Sequence, residues 1–578
     1  MRWKRNTIAY FFLMIFYLVI CTTLSAGCSV EDLGLLPANS LNEEEDVHNE
    51  PELKLSEAEL FLEMKARQDK NQLSDSDIRK AIFHAVDREK IINELFGKYG
   101  KVSNSLFSAS STYWNQSWSI YDYDLEKAKQ YLSHAGYGTD NPLYLTISAV
   151  DNSGSKQIIE EIIKEDLEKI GINLWIFNEP PKELYQDKIP NGDYELGLWS
   201  MFFSDSGDLA SSFSSDKIPP METEENNNCE NFYWYNSIEV DDLLKQIENR
   251  TDPDFIREKV IEIQDILARD AVILPLYSRL FVLAYNNSLS QADLEILGEE
   301  PFLNIDNWKL PDDLEVPEGE KARIALGYKS DHIDIFNGFK KYFINDLLFR
   351  GLWKSKPDGS YEPDLLESFS KSEDEEYSEI PGLSLHVKLK DGIFWQDDTP
   401  ITSYDIKYTL EYFKDFMDEN EYFSRLDRDY NKIDEIRVVD EKNFIILFNE
   451  EMKNWQKLFD QVYKDGSFDI YGPDSLSYNN IISSGPYHIV EYDENGMVIF
   501  DINENFYGKI PEIGRLAIHF DPDINNLISM LKEDEIDALC IPADTELMTE
   551  LEKDKDIQLL IKPGNLLEHL ALSLKPSE

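Results

Sequence analysis

Asp77-Ile-Arg-Lys-Ala-Ile-Phe-His-Ala-Val-Asp-Arg-Glu89 and the residues that follow to Phe96 carry apolar side chains at Ile78, Ala81, Ile82, Ala85, Val86 and Ile91. That spacing predicts one helix over 77–96. Helices and short strands then alternate. Leu125–Ala135 reads as a helix ended by Gly136, Leu143–Ala149 as a strand, Ser155–Ile170 as a helix, and Asn173–Ile176 as a strand. Glu239–Ile247 and Asp254–Ala268 are helical, and Val272–Tyr277 is a buried strand. Such alternation predicts an α/β lobe. The stretch 311–321 then has the proline, glycine and acidic content of a linker. Beyond it, Arg323–Gly327, Leu383–Leu389, Glu435–Val439 and Phe444–Phe448 read as strands, and Ser403–Phe413 and Asn526–Lys532 as helices. A second α/β lobe, richer in strands, is expected over 322–578.

The 578 residues are too many for one simple core, which agrees with two lobes. Hydrophobic content of 42% and aromatic content of 12% suit a folded chain. The net charge of -56, from 112 acidic and 56 basic residues, repels nucleic acid and anionic headgroups. Acidity of this kind is read either as a solvated surface or as attraction for cationic ligands, and net charge alone does not choose. The four cysteines (Cys21, Cys28, Cys229 and Cys540) form no disulfide framework and show no metal spacing. The eight histidines make no paired-ligand pattern. No nucleophile with a base, no P-loop and no dinucleotide fingerprint is present, so nothing supports an enzyme, a cofactor or a metal.

Residues 1–27 read as a signal peptide. Arg2, Lys4 and Arg5 precede an apolar run over Ile8–Ile20, and Leu24-Ser-Ala-Gly-Cys28 follows. This end resembles a bacterial lipobox, with Ser25 where an apolar residue is usual. The resemblance implies acylation of Cys28; an uncleaved anchor helix and an ordinary secretory signal are the other readings. A thiol-linked diacylglycerol brings two acyl chains, enough for stable anchoring. The acidic stretch 28–57 has no apolar period and reads as a tether spanning on the order of 30 Å. The body, beginning near residue 58, is therefore expected on the extracytoplasmic face of a bacterial cell membrane. Near the two ends, Ala58–Lys65 (AELFLEMK) resembles Glu568–Lys575 (EHLALSLK), and both alternate like half-buried strands.

The chain resembles the family 5 extracellular solute-binding proteins, the dipeptide, oligopeptide and nickel receptors of ABC importers. Segments that resemble the front of that family come late. They are Asn345–Leu352, Tyr361–Ser368, Leu385–Trp395, Thr399–Ile406, Ser484-Gly-Pro-Tyr487, Asn503–Gly508 and Glu535-Ile-Asp537. Asp398 and Asp534 stand where the family has glycine, which puts those two turns in doubt. Segments that resemble the back of the family come early: 77–89, Tyr121–Lys129 with Ala135-Gly-Tyr137, and Asp166–Ile172.

The resemblance implies a two-lobed α/β protein of the type II periplasmic-binding-protein fold, circularly permuted. Residues 58–310 would be the family's C-terminal lobe and 322–578 its N-terminal lobe, with the family's termini joined through 311–321. A domain swap between two copies is the rival arrangement. It further implies a monomer that captures a peptide or other small solute for an ABC permease; a peptide-sensing lipoprotein and a degenerate one without ligand are the alternatives. Asp205, in Asp205-Ser-Gly-Asp208, matches the aspartate that holds a dipeptide's ammonium in the family, with Leu209 in place of the family's proline. The other reading of Asp205 is a loop residue capping a turn. Trp199, Phe202 and Phe203 flank it and read either as walls of a side-chain pocket or as core.

Overall fold

Arg79 and Arg88, the two arginines of the opening motif, are both buried, and each is spent on backbone carbonyls. Arg79 donates to the carbonyls of Leu73, Ser74, Asp270 and Ala271. Arg88 donates to those of Ser103, Pro275, Trp118 and Tyr121 and to Asn104 Oδ1. Burial lowers the Arg88 pKa to about 10, so the group stays cationic and staples two connecting segments, at 103–104 and 118–121, to one strand. The single helix expected over 77–96 is two. The Asp87 side chain accepts from Lys90 N at 2.9 Å and starts a new helix, while Asp87 N donates to Asp166.

The structure, a computed structural model, describes residues 57–576 apart from 68–70, 110, 204–208, 220–229, 248–249, 251, 290–301, 303–304, 310, 312–322, 330–343, 356–360, 373–383, 420–429, 450–454, 468–480, 494–495 and 542. In chain order it begins with α1 (Glu57–Ala66), α2 (Ser76–Ala85), α3 (Arg88–Phe96), α4 (Leu125–His134), β1 (Leu143–Ala149) and α5 (Gly154–Glu168). β2 (Ile172–Ile176), β3 (Leu196–Phe202), α6 (Ile238–Ile247), α7 (Pro253–Arg269) and β4 (Ile273–Asn286) follow. Next come β5 (Arg323–Lys329), β6 (Leu366–Ser372), β7 (Ser384–Leu389), α8 (Ser403–Glu419), β8 (Ile433–Val438) and β9 (Asn443–Phe448). The last elements are β10 (Tyr487–Asp493), β11 (Met497–Ile502), β12 (Arg515–Asp521), α9 (Ile524–Lys532), β13 (Ala538–Ile541), α10 (Thr545–Leu551) and β14 (Ile557–Leu572). The α/β class is as the sequence predicts.

One ten-stranded mixed sheet runs β10-β11-β12-β5-β13-β4-β14-β3-β1-β2, and a four-stranded sheet runs β8-β9-β7-β6. The large sheet serves two lobes. The core of the first lobe is built from residues between Leu73 and Tyr277 and is completed by Leu567, Leu570, Ala571 and Leu572 of β14. Cores of the second lobe lie between Val282 and Ile557. Segments and lobes therefore do not coincide: Leu289, Phe302, Ile305 and Trp308 pack into the second lobe. Two long antiparallel strands, β4 and β14, cross between the lobes side by side.

Ala58–Lys65, read as a strand, is helical instead, within α1. Its counterpart 568–575 supplies the end of β14, which lies between β3 and β4 and leaves no place there for a second copy. The displaced segment lies against β1 and β2, where Phe61 meets Tyr144 and Trp175 with ring centroids 5.6 and 5.4 Å apart. The two turns put in doubt keep a glycine-like backbone: Asp398 has φ 65° and Asp534 φ 58°. Each aspartate offsets that strain by accepting from an asparagine, Asn505 and Asn286 respectively, at 3.0 Å. Gly485 of Ser484-Gly-Pro-Tyr487 has a different reason: a Cβ there would lie 2.4 Å from the Leu347 carbonyl oxygen.

Candidate functional site

The ladder between β4 and β14 breaks between Pro563 and Leu567, opposite Ser278–Leu280, midway between the two lobes. The broken stretch of these paired crossing strands is the candidate hinge between the lobes. Beside this hinge, helices start from the carboxyl ends of strands in both lobes. α5 follows β1 in the first lobe, and α10 follows β13 in the second. Crevices at such strand ends are where open α/β sheets take ligands.

A crevice of about 700 Å³ opens there. Glu94, Leu95 and Phe96 at the end of α3 and Gly154, Ser155 and Ile158 at the start of α5 form the first-lobe wall. Ala543, Asp544, Thr545, Glu546, Thr549, Glu550 and Lys553 form the opposite wall. Asp544 caps α10 by accepting from Leu547 N at 2.7 Å. α5 has no side-chain cap and no acid in its first turn, so its first N–H groups have no side-chain acceptor. The lobes touch at one edge: Thr545 Oγ1 donates to the Leu95 carbonyl at 2.8 Å, and Lys98 pairs with Glu552 at 2.5 Å.

Behind the α5 wall lies a buried polar cluster. Lys156 Nζ pairs with Glu568 Oε1 on β14, and Ser200 Oγ of β3 donates to Glu568 Oε2 at 2.9 Å. Burial lowers the Lys156 pKa, and the adjacent Glu568 works against that shift. One turn on, Glu160 is fully buried, and its Oε2 accepts from Asn178 at 2.9 Å while Oε1 has no partner. Burial raises its pKa from 4.5 to about 7. Because the folded value is the higher one, the favourable contribution is complete below pH 4.5 and is lost as pH rises through 7. Glu160→Gln is accordingly expected to stabilise the protein at pH 8, by roughly 3 kcal/mol at most, with little gain at pH 4.5. Urea unfolding at both values measures this, and an equal effect at the two would refute it.

The residues singled out in the sequence divide. Trp199 is buried among Tyr194, Tyr233 and His569. His569 itself is held neutral, burial lowering its pKa to about 3. Phe203 is buried and stacks on Phe213. Phe202 is 54% exposed at the hinge end of β3, opposite Leu566. Asp205, Cys28 and Cys229 lie outside the described residues. Cys540 on β13 carries no disulfide, and burial pushes its thiol up to about 12. Sequence reading missed Glu94, Lys156, Glu546 and Glu568. Glu568 has the parity of Leu570, Leu572 and Leu574, so the alternation puts a carboxylate on an apolar face, but nothing in it points to a lysine of α5 as the partner.

The profile of the bacterial extracellular solute-binding proteins, family 5 Middle, matches residues 29–217 and 360–577. The chain belongs to this family. Among curated relatives it is similar to the oligopeptide-binding protein AppA of Bacillus subtilis, 25% identical over 218 residues that make up 35% of this chain and 38% of AppA. It is also similar to the nickel-binding protein NikA of Staphylococcus aureus, 23% identical over 37% of this chain and 41% of NikA. The chain thus spans about two-fifths of the length of these relatives. Among solved structures, NikZ of Campylobacter jejuni with Ni(L-His) overlaps 41% of this family 5 chain and 46% of its own, at 22% identity and a TM-score of 0.35. The oligopeptide-binding protein of Thermus thermophilus with a pentapeptide overlaps 38% and 39%, at 21% identity and a TM-score of 0.33. Among the described residues no helix is long and apolar enough to cross a membrane.

Proposed function

We propose that this family 5 chain is a binding protein that captures peptides between its lobes and delivers them to an ABC permease, held at the outer face of the membrane by a lipid on Cys28. The observation that carries the reading is the crevice beside the two crossing strands, in a chain whose family is solute-binding. Closure about the hinge would bury a solute from both sides. The start of α5 suits a peptide carboxylate, since uncapped N–H groups and the helix dipole both favour an anion. Asp205, which follows β3 beyond Phe202, is our choice for the amine anchor, because an ammonium moved into a closed cleft needs a fixed opposite charge. Micromolar affinity corresponds to about -8 kcal/mol, more than one ion pair supplies, so peptide backbone hydrogen bonds must add to it.

Circular permutation in a monomer is part of the same proposal. It is supported by the place of the late strand β14 between the early strands β3 and β4, and by the second copy of its end in α1. Duplication of a gene followed by trimming leaves such a remnant. Calorimetric titration with di- to pentapeptides tests the function. Asp205→Asn is expected to weaken binding at least roughly tenfold, about 1.4 kcal/mol. Unchanged affinity removes the role given to Asp205, and absence of any peptide binding removes the peptide reading.

A further inference from the structure

Glu94 and Glu546 face the same crevice from opposite lobes, and neither has an ion-pair or hydrogen-bond partner among the described residues. The other acids on the wall are engaged: Asp544 caps α10, and Glu550 lies 3.5 Å from Lys532. Lys553 is the one cation among the lining residues. Beside the carboxylates Ile158 is 42% exposed, an apolar surface left open at the mouth of the crevice. Around this site the whole chain carries a charge of -56.

We infer that the crevice selects solutes with a basic side chain, lysyl or arginyl, over neutral and acidic ones. This rests on reading the crevice as the solute site and adds the chemical class it takes. A lysyl side chain matches the wall part by part. Its methylene stem lies on Ile158, and its ammonium reaches the carboxylates. Two carboxylates on separate lobes repel each other as the crevice narrows. A cation between them converts that repulsion into attraction on both sides, so the ligand favours closure through a difference in affinity between the two states. Two carboxylates suit an organic ammonium or guanidinium better than a hard metal ion, which takes six or more oxygens. The field of the acidic surface acts in the same direction, drawing cations in at a rate that falls with salt.

The test is calorimetric titration of the whole chain with Ala-Lys-Ala, Ala-Met-Ala, Ala-Glu-Ala and spermidine at low and high salt. Ala-Lys-Ala is expected to bind at least tenfold tighter than Ala-Met-Ala and Ala-Glu-Ala weakest, and the lysyl preference should fall several-fold in the Glu94→Gln/Glu546→Gln double variant. Equal binding of the lysyl and methionyl peptides overturns the inference and leaves the peptide reading intact. Spermidine binding without any tripeptide binding does the reverse. A double variant that keeps the full lysyl preference overturns the role of the two glutamates, and a circular dichroism spectrum like that of the parent shows that the variant is folded.

Discussion

A chain ending at Leu566 is expected not to fold, whereas one starting after Ala66 is expected to fold and to lose only about 2–3 kcal/mol of stability. Twelve residues are removed in the first case, yet they include the middle of the large sheet. Leu570, Ala571 and Leu572 are fully buried, and Leu567–Leu572 pairs with β3 on one side while Leu567–Ala571 pairs with β4 on the other. Their loss splits the sheet, opens the first-lobe core and exposes two unpaired strand edges. The start of the chain holds much less. Phe61 is the buried anchor of α1, Lys65 pairs with Glu195 at 2.5 Å, and Leu60 and Leu62 are about half exposed. Burial of one phenylalanine accounts for the smaller loss. Thermal unfolding followed by circular dichroism separates the cases. A cooperative transition in the C-terminal truncation would show that β14 is not the central strand. Loss of folding in the other would show that α1 is more than a docked remnant.

Periodicity carried most of the elements because their faces are simple. α4, α5 and α7 have one buried face each, so their patterns and bounds were legible within a residue or two. β4 was legible only in its first half, Ile273–Tyr277. Past Tyr277 the strand leaves one core for the next, and Ser278, Arg279, Leu280 and Phe281 are not buried, which breaks the apolar run where the hinge lies. The helical form of 58–65 was hidden because strand pairing is settled by competition for one place in the sheet, and the late copy holds that place. Val86–Asp87 reads as continuous helix because a capping aspartate inside an apolar period looks like one more exposed polar residue. Candidate site residues fared unevenly for one reason. Trp199 and Phe203 are aromatic, and aromatic side chains serve cores and pockets alike. Glu94 and Glu546 lie 452 positions apart and meet only through the fold.

Replacing Lys156 with methionine is expected to cost about 3–5 kcal/mol at pH 7, more than any surface ion pair in this chain would cost. The side chains of Lys156 and Glu568 are 8% and 3% exposed. Methionine fills similar volume, so the loss is not a cavity; it is the Glu568 carboxylate left in the interior with only the Ser200 hydroxyl. That diagnosis fixes the rescue. Lys156→Met with Glu568→Leu removes both charges and should recover most of the stability, since apolar pairs of matching size replace buried ion pairs at little cost. Denaturant unfolding of the three proteins at pH 7 reads all of this. A single-variant loss under 1 kcal/mol, or a double variant no better than the single, would refute the argument. The position of the pair gives it a mechanical sense as well. Glu568 sits just past the break in the ladder at Pro563–Leu567, so its bond to Lys156 ties α5 to the first-lobe end of β14. In the proposed closure, the wall that carries Ser155 and Ile158 would then move with its own lobe.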